Sequence, residues 1–199
     1  MRKGIFILFV LLFWINAFSG DNQKTNTNLN VVLVSSNIQN AKAIADAAKD
    51  DAVAVVYDFE KTNLREINLT LEELIDWKNK QIDHLIIICH GAPGSLLLGA
   101  EQLIDLKKVK TQKNEWEALG KLLSANAIID FYGCEVGWGE VGQKFVNAVS
   151  YLTHASVQAS DDASGNIHDA DWELEVKTGS TNKPSLINFS QLLKTPIYF

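Results

Sequence analysis

Residues 83–91, DHLIIICHG, and residues 127–137, AIIDFYGCEVG, decide the fold. Each is an apolar, β-branched run that breaks at a glycine beside a chemically capable residue, His90 in the first and Cys134 in the second. Short apolar runs without alternation read as strands buried on both faces, and such strands belong to parallel sheets covered by helices. Residues 30–35, 52–57 and 155–159 repeat the pattern, and 172–176 (WELEV) alternates like a half-exposed sixth strand. Between the runs, apolar residues recur at helical spacing over 37–49, 71–78, 116–123 and 141–152. Thr70 and Glu73 carry the capping-box pattern for the second of these helices. After His90 the period changes, and APGSLLLG reads as two turns around a short extended piece, a small hairpin. The expected architecture is therefore α/β, a three-layer α-β-α sandwich around a mostly parallel sheet of about six strands.

The first nineteen residues stand apart. Arg2 and Lys3 precede an almost wholly apolar run from Ile5 to Phe18, and Ala17 and Ser19 supply small residues where a signal peptidase needs them. The run is shorter than the roughly 20 residues a membrane-spanning helix requires. Residues 1–19 are thus read as a signal peptide, with an uncleaved anchor as the alternative. Residues 20–29 form a polar leader, 30–180 one α/β domain, and 181–199 an apolar tail with no evident place. The expected location is the periplasm, the cell surface or the medium, with no stable membrane span after cleavage.

The whole chain carries a formal charge of -6, and loss of Arg2 and Lys3 leaves 16 basic against 24 acidic residues. That acidity, with no basic cluster, argues against nucleic acid as the main partner and favours a soluble protein or one with cationic partners. Nothing calls for a cofactor or a metal. His84, His154 and His168 lack the spacing of a zinc set and read as surface residues.

In parallel sheets, function gathers at the carboxyl ends of strands, which here points to Ser35, Asp58, His90, Cys134 and Asp161. A thiol and an imidazole at neighbouring strand ends can share a proton, and the thiolate is the nucleophile. Gly91 and Gly133 let the backbone turn sharply, so that the N–H groups of Gly91 and Cys134 can face an oxyanion. A disulfide between Cys89 and Cys134 is the competing reading for an exported chain. It needs Cα atoms within about 7 Å. Successive strand residues face opposite ways, so Cys89 should face the covering helices if His90 faces a site.

An apolar strand ending in His-Gly, followed by a second ending in a small residue and Cys, resembles the caspase-like (clan CD) cysteine peptidases. More closely, residues 88–99, 128–162 and 171–180 resemble a bacterial domain-of-unknown-function family, number 4347, which often begins large secreted adhesin-like proteins. The resemblance implies His90 as general base, Cys134 as nucleophile and Gly91 as an oxyanion donor. It also implies that Asp161 and Asp162, in ASDDASG, help wall a pocket for Lys or Arg. Their other reading is a solvated turn. Tyr132-Gly133 departs from the peptidase pattern of an acidic or polar residue and Ala before the cysteine. Trp138 reads either as a cleft residue or as core, Asp171 and Trp172 as fixing the sixth strand. Asn68 and Asn188 begin glycosylation-type triplets. Two functions follow: a cysteine endopeptidase acting on peptide or protein substrates, with self-processing included, and a non-catalytic surface or adhesion module that keeps the fold.

Overall fold

The computed structural model describes residues 28–100, 102–192 and 197. Residues 1–19, read above as a signal peptide, and the leader up to residue 27 lie outside the described residues. Among the described residues, no helix is long and apolar enough to cross a membrane.

Five parallel strands make the sheet: β1 (Leu29–Ser35), β2 (Ala52–Tyr57), β3 (Ile82–Ile88), β7 (Leu123–Tyr132) and β8 (Ser156–Ala159). A two-residue strand, β9 (Val176–Lys177), joins antiparallel to β8, giving the order β2-β1-β3-β7-β8-β9. The expected sixth strand over 172–176 is therefore displaced. Only Val176 belongs to it, because the chain before it packs Trp172 and Leu174 onto the sheet instead of pairing. Between β3 and β7 the chain folds a separate three-stranded antiparallel sheet, β4 (His90–Ala92), β5 (Ser95–Gly99) and β6 (Gln102–Asp105).

The two faces are covered differently. One carries α2 (Leu64–Lys78), α3 (Leu106–Thr111), α4 (Lys113–Leu122) and α5 (Gly139–Thr153). These helices bury Leu64, Leu71, Trp116, Phe145 and Val149 against Leu33, Leu85, Ile87, Ile129 and Phe131. Helix α2 starts earlier than the capping-box reading places it. Asn63 caps it, accepting from the Arg65 and Glu66 N–H groups, while Thr70 lies mid-helix and donates to the Glu66 carbonyl. The helix also buries Asn68, whose amide donates to the Glu115 carbonyl, so that triplet is structural.

On the other face, among the described residues, one short α-helix, α1 (Ala41–Asp46), packs, and the tail completes the layer. Leu186, Ile187, Leu192 and Ile197 join Ile38 and Ile44 over Val32, Val34, Ile86 and Ile88. Ile187 forms a bridge to Ala48, and Lys49 N–H donates to the Leu186 carbonyl at 2.8 Å. Phe189 stacks on Trp172 at 4.5 Å, and both meet the Tyr132 ring edge-on or tilted. The three-layer expectation holds, with a strap of chain serving where a second set of helices was expected.

Candidate active site at the ends of β3 and β7

Strands β3 and β7 are central neighbours, with Ile88 opposite Tyr132. The strand order reverses between β1 and β3, and such reversals open crevices at the carboxyl edge of a sheet. Both sequence-selected motifs emerge at that edge. Cys89 N–H donates to the Tyr132 carbonyl at 3.2 Å, so the two backbones continue side by side past the end of the ladder. Beyond this point Gly91 lies against the Cys134 carbonyl and Gly133 against the Cys89 carbonyl. A Cβ on Gly133 would stand 2.7 Å from that oxygen, closer than real atoms approach. The glycines are there to let two chains touch.

Val136 sits between them. Its side chain is fully buried and contacts the Gly91 and Gly133 positions, and its carbonyl accepts the Gly94 N–H at 3.2 Å. The β4–β5 hairpin that begins at His90 is thereby docked on the loop that begins at Cys134. Both His90 and Cys134 are partly exposed.

The cysteines are separate thiols. Cys89 is fully buried in the core beneath the four helices, and burial pushes its thiol up to about 12. This is the inward orientation expected from strand alternation, and it leaves Cys134 as the thiol at the surface.

The loop after β8 closes the third side. Glu135 N–H donates to the Asp162 carbonyl and Gly137 N–H to the Ser160 carbonyl, each at 2.7 Å. This puts Asp161 and Asp162 beside the cysteine loop. They are joined by Glu175, which the sequence reading passed over; its carboxylate accepts the Asp161 N–H at 3.0 Å. Carboxylate oxygens of the three lie within 4.8 Å of one another, an arrangement that suits a cationic group. Trp138 is 55% exposed, which removes its core reading and leaves it on the surface four residues beyond Cys134.

One sequence expectation is corrected outright. His84 is not at the surface: it is buried on β3, with Nε2 2.8 Å from Asp130 Oδ2 on β7. Asp130 Oδ1 accepts from the Gln158 amide on β8 at 2.7 Å, so a polar row crosses three strands inside the sheet. The signal was legible in Asp130 itself. A single acid inside AIIDFY must find a partner, because an uncompensated buried charge is costly. His154 and His168 are exposed, as expected.

Comparison with known families matches residues 31–195 to one of them. The chain belongs to the domain of unknown function DUF4347. The DUF4347 match takes in the sheet from Val31 of β1 onward, both motif blocks and most of the tail. No curated protein matches this DUF4347 chain. Among solved structures, a crystal structure of a small-chain dehydrogenase is similar with a TM-score of 0.37 and 10% identity, over 66% of this chain and 81% of that one. A likeness of that size carries nothing about chemistry.

Proposed function

We propose that this chain is an exported cysteine endopeptidase with a caspase-like site, in which Cys134 and His90 form a catalytic dyad. The observation that carries the reading is the direct contact of the Gly91 and Gly133–Cys134 backbones at the ends of adjacent central strands. Export rests on the basic and apolar first nineteen residues.

In the proposed mechanism the Cys134 thiol gives its proton to the His90 ring, and the thiolate attacks the peptide carbonyl. The N–H groups of Gly91 and Cys134 receive the oxyanion. His90 then returns the proton to the leaving amine, and water hydrolyses the thioester to free the acid and restore the thiol. Asp161 and Asp162, reinforced by Glu175, favour Lys or Arg before the cut by charge pairing. A basic site within the chain itself is then a natural substrate for self-processing.

The test compares the native chain with Cys134→Ala under reducing conditions, using Lys- and Arg-ended reporter peptides and an acyl-type thiol probe. Hydrolysis should fall by about a thousand-fold or more in the variant, and the probe should label only the native chain. Equal labelling of both, with no difference in hydrolysis, would leave the non-catalytic surface module as the reading.

A further inference from the structure

Ser160 follows β8, is fully buried, and spends its hydroxyl on one residue. The Oγ lies 3.1 Å from both the Asp162 carbonyl oxygen and Asp162 Oδ1, which share its one proton, and it accepts the Asp162 N–H at 3.2 Å. A single hydroxyl thus closes a tight turn and fixes where the Asp162 carbonyl points. That carbonyl accepts the Glu135 N–H, while the carbonyl of Ser160 accepts the Gly137 N–H two residues on.

The residue held this way has an unusual backbone. Glu135 adopts φ 60°, in the left-handed region, although it is neither Gly nor Asn and its side chain is exposed. Such a conformation costs free energy and persists only where surrounding bonds impose it. Here they come from the Asp162 carbonyl and from Trp138 N–H, which donates to the Glu135 carbonyl at 2.8 Å. Because Glu135 directly follows Cys134, this turn sets the direction in which Cys134 leaves the backbone.

We infer that Ser160 is a positioning residue for Cys134: its buried hydroxyl locks the Asp162 carbonyl that holds Glu135 in its left-handed turn. The inference rests on the reading of Cys134 as the reactive thiol of the site. Without the hydroxyl, the Asp162 turn opens, Glu135 relaxes toward negative φ, and Cys134 loses its fixed bearing on His90.

The experiment uses amide exchange and NMR shifts on the full chain, neither of which requires peptide cleavage, so failure of the peptidase reading would show separately. In Ser160→Ala, Glu135 N–H should exchange about five-fold faster or more, the scale of one lost hydrogen bond. The Cys134 Cα and Cβ shifts should move as well. Adding Glu135→Gly should return both toward native values, since glycine takes φ 60° without strain. Thr178→Ala is the control, because the Thr178 hydroxyl ties the Val157 N–H at 2.8 Å at the other end of β8. It should move neither readout. Unchanged Glu135 exchange in Ser160→Ala, or an equal change in the control, overturns the inference. Should Ser160→Ala not fold, Glu135→Val at the exposed position places a β-branched residue where left-handed φ is disfavoured. It should speed exchange at Glu135 and Gly137, and no change there overturns the inference equally.

Discussion

Gly91 and Val136 meet so closely that a methyl group on Gly91 would stand 2.5 Å from Val136 Cγ2 and 2.8 Å from the Cys134 carbonyl oxygen. Neither neighbour has room to retreat, since Val136 is fully buried and the carbonyl belongs to the backbone. Gly91→Ala should therefore destabilise the chain by about 1–3 kcal/mol, the usual cost of overpacking, and push the His90 hairpin off the Cys134 loop. Urea unfolding reads the first effect, and reporter-peptide hydrolysis the second. Native stability in this variant would mean that the hairpin moves freely, and the proposed dyad geometry would lose its support.

The buried row His84–Asp130–Gln158 makes a second prediction. His84→Leu leaves the buried Asp130 side chain facing a leucine in place of the imidazole, with the Gln158 amide still donating to it, which should cost about 3 kcal/mol. Replacing both His84 and Asp130 by Leu should cost less than His84→Leu alone, because no charge is then left stranded. Denaturant midpoints of the two single variants and the double variant settle the sign of the coupling.

Acid should loosen the tail through Asp83. Burial alone would raise that carboxyl, but hydrogen bonds from Lys183 and Ser124 outweigh it and hold the group below its ordinary value. Lys183 Nζ lies 2.6 Å from Asp83 Oδ2 and also reaches the Asp83 and Asn126 carbonyls. A depressed carboxyl contributes stability above its unfolded value and loses it as pH falls through the folded one. Lys183→Met should thus be less stable than native by about 1 kcal/mol near neutrality, a modest figure because the pair is partly solvated. The gap should shrink below about pH 4. Thermal melts across that range decide it, and a gap independent of pH would refute the assignment.

Thiol titration distinguishes the two cysteines. A disulfide-exchange reagent at neutral pH should titrate one thiol per native chain, Cys134, and two after unfolding in urea. Cys89 is inaccessible, and its thiol, pushed up to about 12, is almost wholly protonated there. Cys134→Ala should leave the native chain silent to the reagent.

The sheet was legible because its central strands are buried on both faces: residues 85–88 are an uninterrupted apolar run, 127–132 one broken only by Asp130, and the half-buried edge strand at 52–57 is apolar as well. That the two motifs emerge at one edge of the sheet was legible for the same reason, since neighbouring parallel strands share a carboxyl edge. What escaped depends on tertiary partners. The Asn63 cap was hidden because Thr70 and Glu73 offer a better local pattern inside the helix. His84 looks like a solvent residue until Asp130 is known to lie across the strand pair. Helix α3 is only six residues long, too short to establish a period. The tail has no periodicity because it follows the contour of a sheet face, which no local rule encodes.

That borrowed layer has a consequence for synthesis. A ribosome that has delivered β8 has released a sheet clothed on one side and, on the other, covered over Val32, Val34, Ile86 and Ile88 only by the segment 38–47, and the further covering residues from Leu186 onward are still to come. For that interval the nascent chain presents a sticky flat surface, the kind of intermediate that holdase chaperones shield. Stalled chains ending before Pro184 should accordingly bind an apolar-surface dye that full-length chains ignore, and equal dye binding by both would show that the strap is dispensable.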